Sequence, residues 1–195
     1  QPEPGTVCCN MTNCINVDGT KAEDLTRATL TCRSQILPII KFLREYVPGY
    51  EKCWLMSSAS LIGVRETRHF KGLKSLSVED VLEANTHNDW VVKDAYFGID
   101  VHNMTGPSLD ATGIQKHFKQ KNSYTIPYGC LVPVNVEGLL LSGRNISGAH
   151  LAHASYRIMS VGIATGEAAG AAVALAMKQG KLLKDINPKD IQELV

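Results

Sequence analysis

Charge of one sign is the first thing missing. Twenty Lys and Arg face 19 Asp and Glu, a formal net charge of +1. Such a balance gives no support for binding to nucleic acid or to a membrane surface. No run approaches 18 apolar residues, so no membrane span is expected. The six cysteines are Cys8, Cys9, Cys14, Cys32, Cys53 and Cys130; none forms a CxxC pair, and none stands with histidines at zinc-ligand spacing. Four fall on apolar strand or helix faces, which reads as reduced, buried cysteine rather than a disulfide framework. Metal-spaced carboxylates and a nucleophile elbow are also absent, so no metal centre is expected and a cofactor-free hydrolase or lyase is disfavoured. The opening QPEPGTVCC has neither a basic n-region nor an apolar h-region and does not read as a signal peptide. The compartment stays open. Three glycosylation sequons, at Asn10, Asn103 and Asn145, read as chance. There is no internal repeat, no low-complexity tract and no βαβ alternation, which argues against a parallel doubly wound sheet.

What is present suits a globular chain. Its 195 residues are 44% hydrophobic and 20% charged, enough for one domain or a small pair. Thr6 to Val17 reads as a strand, and Asp18-Gly19-Thr20 as a turn. Thr20 and Glu23 suggest a capping box. Apolar residues from Leu25 to Val47 then recur at spacings of three and four, predicting an amphipathic helix that Pro38 should kink or split. Trp54 to Val64, His69 to Leu76, a pair within Trp90 to Val101, Tyr124 to Pro133 and Val136 to Leu141 read as further strands. Asn103 to Asn122 reads as a polar excursion. Ser77 and Asp80 cap a short helix over Val78 to Asn85, and Asn187-Pro188 opens a terminal one. The sum is an α+β chain: a mixed β-sheet of about six strands, one long N-terminal helix and one long Gly/Ala-rich C-terminal helix.

The most informative stretch is Leu139 to Gly180. An apolar strand, Leu139 to Leu141, runs into Ser142-Gly143-Arg144. A loop with His150, His153, Ser155 and Arg157 follows, then a helix over about Met159 to Lys178. A strand, a Gly turn and a helix start in this order can aim a helix N-terminus at an anion or an electron-rich oxygen. Histidines in such a loop can equally be structural. Gly162, Gly166, Gly170 and Ala174 share one helix face. Glycine costs up to about 1 kcal/mol each in a helix interior, so three in register imply close approach of another backbone. That backbone could belong to this chain's core or to a neighbouring domain. Arg65-Glu66-Thr67-Arg68 is a second candidate cluster, with a solvated charge patch as the plain alternative. Asp100 and His102 form a weaker acid–histidine pair.

Several segments carry a family likeness in order: GVRETR at Gly63 to Arg68, HFKGLKSLSVEDVL at His69 to Leu82, IDVH at Ile99 to His102, IPYGCLVP at Ile126 to Pro133, and LLLSGRNISGAHLAHASYRIM at Leu139 to Met159 before the Gly/Ala helix. Together they resemble the C-terminal half of bacterial FAD-dependent oxidoreductases, within the glutathione-reductase-like flavoproteins. The resemblance implies that the Gly143-Arg144 turn closes the FAD domain and that the next helix points its N-terminus at the flavin pyrimidine edge. It places Gly143, Arg144, Ser155, Arg157, Ile158 and Met159 on the cofactor side. His150 becomes an acid/base or orienting group, and Arg65 and Arg68 lie on the substrate side. It also implies a substrate-domain-like region over residues 1–123 and the C-terminal part of an FAD-binding domain over 124–195.

One family element is missing. The strand followed by GxGxxG, which holds the FAD pyrophosphate, does not occur; GEAAG at Gly166 to Gly170 lies in a helix with the wrong spacing. What remains at a helix end is worth about 0.3–1 kcal/mol, or about 2 when partly buried, whereas micromolar binding needs about −8. The expectation is therefore a C-terminal fragment that binds FAD weakly or not at all alone. It would act on a small-molecule substrate together with a missing N-terminal dinucleotide-binding region. A non-catalytic ligand-binding or interaction domain derived from the family is the alternative.

Overall fold

The computed structural model describes residues 3–100 and 118–195, which fall into two compact units. In the first unit the described residues are 3–67; in the second they are 68–100 and 118–195. The boundary expected at 123/124 separated roles, substrate side from flavin side, and compactness does not bear on it.

In the first unit the long helix is two helices, α1 (Ala22–Ser34) and α2 (Ile36–Tyr46). Pro38 explains the break: its ring crowds the carbonyl four residues back, on Ser34, where α1 ends. The expected Thr20–Glu23 capping box does not form. Lys21 takes the N-cap position without a side-chain cap, because the Thr20 hydroxyl donates instead to Asp18 Oδ1 at 2.7 Å. Thr6 to Val17 and Trp54 to Val64 are irregular and are not strands; Asn16 bends the first with φ +55°. Side chains of α1 and of Gln35, at its junction with α2, take up the backbone of the first segment. Gln35 accepts from Asn13 N (2.9 Å) and donates to Asn13 O (2.8 Å). Arg27 donates to Asn16 O, and Asp24 accepts from Asp18 N, both at 2.7 Å.

The second unit is built on an antiparallel pair, β1 (Trp90–Ala95) and β2 (Tyr124–Pro127), in the register Trp90↔Pro127, Val92↔Ile126 and Ala95↔Tyr124. This is the only sheet among the described residues. The fold is thus α+β with a small antiparallel sheet, not a mixed sheet of six strands. An apolar alternating run needs a partner backbone to become a strand. His69 to Leu76 finds two partners in turn and makes only the isolated bridges Gly72↔Pro133 and Leu76↔Gly148. Gly72 is required there, since a Cβ would lie 2.7 Å from the Gly129 carbonyl oxygen. Beyond Pro127 the chain turns into a 3-10 helix over Tyr128–Cys130. Val136 to Leu141 stays irregular. The second strand of the pair expected within Trp90 to Val101 does not form, since residues 96–100 carry no strand; Val101 and most of the Asn103 to Asn122 excursion lie outside the described residues.

Around this pair pack α3 (Val78–Leu82), α4 (His150–Tyr156), α5 (Met159–Gln179) and α6 (Pro188–Gln192). The Ser77–Asp80 capping box and the Asn187 cap with Pro188 at N1 form as the sequence predicts. Gly180 ends α5 in the left-handed conformation, φ +63°, where glycine carries no Cβ penalty. Leu76, Val81, Tyr124, Ile126, Leu131, Ile146, Tyr156, Ala168 and Ile191 are fully enclosed.

Candidate flavin-facing turn and helix

Gly143 has φ +75° and opens a 3-10 turn, Gly143–Asn145. Its amide donates to Thr165 Oγ1 at 2.9 Å. The Thr165 hydroxyl in turn lies 3.0 Å from the carbonyl oxygens of Val161 and Gly162. A fully buried hydroxyl in the second turn of α5 therefore ties the Gly–Arg turn to that helix. The turn lies against α5 at Gly162, where a Cβ would make an ordinary 3.8 Å contact with Gly143 Cα. Arg144 is exposed. Sequence reading missed Thr165; its signal is a lone hydroxyl within the buried stripe Val161, Thr165, Ala168, Ala172 and Ala176.

The stretch expected to be a loop is the helix α4. Its first residue, His150, is exposed. His153, one turn on, faces inward at 2% exposure. Its ring lies edge-on to Tyr156 (centroids 5.3 Å apart) and to His69 (4.9 Å). Ser155 is fully buried. Its hydroxyl donates to Phe97 O at 2.5 Å, so the Tyr124 hydroxyl, 2.9 Å away, is the donor to Ser155. Burial pushes the Tyr124 phenol up to about 12 and keeps it a neutral donor. Arg157 caps α4; its Nη2 donates to Asp100 O (3.1 Å) and to Asp100 Oδ2 (2.8 Å). Ile158 is the extended N-cap of α5, and Met159, its first residue, is 86% exposed.

The predicted site residues thus separate. Gly143, Arg144, His150, Arg157, Ile158 and Met159 belong to one turn–helix–helix segment. Ser155 shares that segment but points into the core, where it anchors Phe97. Arg65 is exposed in the first unit and Arg68 exposed in the second. His102 lies outside the described residues.

Ile158, the N-cap of the 21-residue α5, makes no side-chain cap hydrogen bond. The leading N–H groups of α5 and the positive end of its dipole are a donor set suited to an electron-rich ring edge or an anion. The family model for FAD dependent oxidoreductases matches residues 2–195. The chain belongs to that family. No curated protein and no solved structure matches it.

Two further observations bear on the family's chemistry. Burial pushes the Cys130 thiol up to about 12, so it is not a ready thiolate at neutral pH. On α5, among the described residues, a Cβ at Gly162 would touch Gly143 while one at Gly166 or Gly170 would meet nothing within 4 Å. Met159, Ile163, Gly166, Gly170, Val173 and Met177 form an exposed stripe at alternating spacings of four and three. By length and composition alone α5 could cross a membrane, a feature the count of unbroken apolar runs passed over. Its opposite face lies in the core of the second unit.

Proposed function

We propose that this chain is the C-terminal, flavin-facing part of a glutathione-reductase-like FAD-dependent oxidoreductase. In that enzyme electrons pass between a small molecule and FAD. The observation that carries the reading is the uncapped start of α5 beside the Gly143–Arg144 turn, in a chain matched by the FAD dependent oxidoreductase model over residues 2–195. When bound, FAD supplies the redox chemistry; the protein's part is to bind, orient and polarise it.

Each residue then has a task. The N–H groups of Met159 and Ser160 donate toward the ring edge, and Ile158 sets the direction from which the chain enters the helix. Gly143, fixed by Thr165, leaves room for the ligand beside the first turns of α5, and Arg144 offers a cation from the same turn. His150 holds or releases a proton on the substrate side, with Arg65 and Arg68 as candidate anchors for an anionic substrate. Ser155 acts at one remove, by fixing α4 on Phe97. The open glycine face of α5 receives the dinucleotide-binding half that would carry GxGxxG. As an open apolar stripe, the same face also favours a second reading: a non-catalytic interaction domain derived from the family.

Flavin absorbance during FAD titration tests the proposal. The 195-residue chain alone should take up FAD weakly or not at all, and a natural chain extended N-terminally through a GxGxxG unit should load near one equivalent. Near-stoichiometric uptake by the short chain would overturn the divided site. Absence of uptake by the extended chain would overturn the flavin reading and leave the interaction domain.

A further inference from the structure

We propose that His69 and His153, which meet inside the second unit, form a two-imidazole site for a divalent transition-metal cation of the zinc class. The site goes beyond the flavin reading and does not depend on it.

The two histidines come from distant stretches of the chain, so their spacing in sequence carries no metal signal. Both belong to the second unit. His153 lies on α4 at 2% exposure, and His69 is half-buried ahead of the Gly72 bridge. Their rings are 4.9 Å apart between centroids, at 63°, and a ring nitrogen of one lies within 4.8 Å of a ring nitrogen of the other. Zinc–imidazole bonds are about 2.0–2.1 Å long, so two of them span at most about 4 Å. A small turn of the half-buried His69 ring therefore brings both nitrogens onto one ion.

Both rings sit on fixed backbone. The His153 amide donates to Ala149 O at 2.8 Å, and its carbonyl accepts from Arg157 N at 3.0 Å. Its ring rests edge-on to Tyr156, whose hydroxyl donates to Ile146 O at 3.0 Å. Just after His69, the Lys71 carbonyl accepts from Val134 N at 3.0 Å, and Leu73 N donates to Val132 O at 2.9 Å. The ligand chemistry selects the cation: imidazole suits zinc, nickel or copper, whereas magnesium and calcium seek oxygen. Enclosing polar ring nitrogens costs free energy that an apolar side chain would not, and a shared cation puts those nitrogens to use. Both residues make further interactions, with which the cation competes. Two protein ligands also leave coordination positions for water or another ligand. Bound there, the ion ties α4 to the stretch that leads into α3.

The test uses the 195-residue chain, stripped of metal with a chelator and titrated with Zn2+ by calorimetry and thermal melting. One equivalent should bind and raise the melting temperature of the parent. His69→Gln and His153→Gln should each weaken binding at least about tenfold, as loss of a ligand costs no less than loss of its supporting partner, and should abolish the rise. His87→Gln should bind zinc like the parent. If His153→Gln does not fold, His69→Gln, at the half-buried position, decides. Zinc binding that survives His69→Gln overturns the proposal. So does a parent whose melting is indifferent to zinc, the behaviour of a purely structural histidine pair. Co2+ substitution provides the ligand identity: visible d–d bands without a thiolate charge-transfer band support the two imidazoles, and a thiolate band would move the ion to the cysteines and overturn the assignment.

Discussion

The two units are held in different ways. Among the described residues of the first, only Ala28 is buried. Its order comes from polar clamps, such as Gln35 on Asn13 and Arg27 on Asn16. Leu37, Tyr46, Trp54 and Leu61 stay exposed. The second unit closes a continuous core from Leu76 to Ile191, and its polar ties act inside that core, at Ser155, Tyr156 and Thr165. Exposed hydrogen bonds each add little net free energy, whereas enclosed apolar area and enclosed polar ties add much more. Rigidity should therefore concentrate in the second unit, around the α4–α5 segment. The two tryptophans make this measurable unit by unit, since Trp54 lies in the first and Trp90 in the second. Single-Trp chains, Trp90→Phe and Trp54→Phe, report on each in turn.

The largest effect belongs to Tyr156. It is fully buried, its hydroxyl donates to Ile146 O, and its ring lies where a Cβ on Gly148 would fall. Tyr156→Ala should destabilise the second unit by about 3–5 kcal/mol, read from the urea midpoint of Trp90 fluorescence. A loss below 1 kcal/mol would mean that this core does not hold the unit. Thr165→Val comes next. It keeps the volume but leaves the Gly143 amide without its acceptor, at about 1–3 kcal/mol. It should also loosen the Gly–Arg turn, seen as faster amide exchange at Gly143. Unchanged exchange would show that the turn does not depend on α5.

Alkaline pH should separate the units further. Cys130 has its folded pKa raised to about 12 from an ordinary 9.0, and Tyr124 and Tyr128 theirs to about 12 from 10.0. Burial is the main cause for all three, and all lie in the second unit. A raised value means that the stabilisation is complete below the unfolded pKa and is lost as pH rises through the folded one. For Cys130 that loss starts above pH 9, at about 1.4 kcal/mol per pH unit. The second unit should therefore weaken steeply from pH 9 to pH 11 by Trp90 fluorescence. The first unit holds no group with a resolved upward shift among its described residues. Parallel loss in both units would place the cause elsewhere.

How much of this could be read from the sequence follows the same division. The second unit's helix signals were local and legible: Ser77 with Asp80, Asn187 with Pro188, and the small-residue run of α5. So was the Gly143–Arg144 turn. Strand content was not legible, because apolar alternation records that a backbone is half buried and not which backbone pairs with it. His69 to Leu76 has that pattern and divides its hydrogen bonds between Gly129, Val132 and Ser147. The orientation of Ser155 was hidden for a similar reason, since its partners Phe97 and Tyr124 are 58 and 31 residues away. In the first unit the capping box was misread because Thr20 had a nearer acceptor in Asp18 than the helix start.

The smallest effects belong to the first unit and bear most directly on what holds it. Gln35 bridges 22 residues with two exposed hydrogen bonds. Gln35→Ala should cost about 0.5–1.5 kcal/mol, near the net worth of one such bond, since water replaces both when they are lost. Trp54 fluorescence in urea reads that loss, and amide exchange at Asn13 should speed up while Trp90 reports no change. Leu37, 74% exposed on α2, provides the control. Leu37→Ser removes apolar surface that is already wet, so it should alter stability by less than about 0.5 kcal/mol. If Leu37→Ser proved costlier than Gln35→Ala, apolar contact rather than polar clamping would be the main support of this unit, and the contrast with the second would fail.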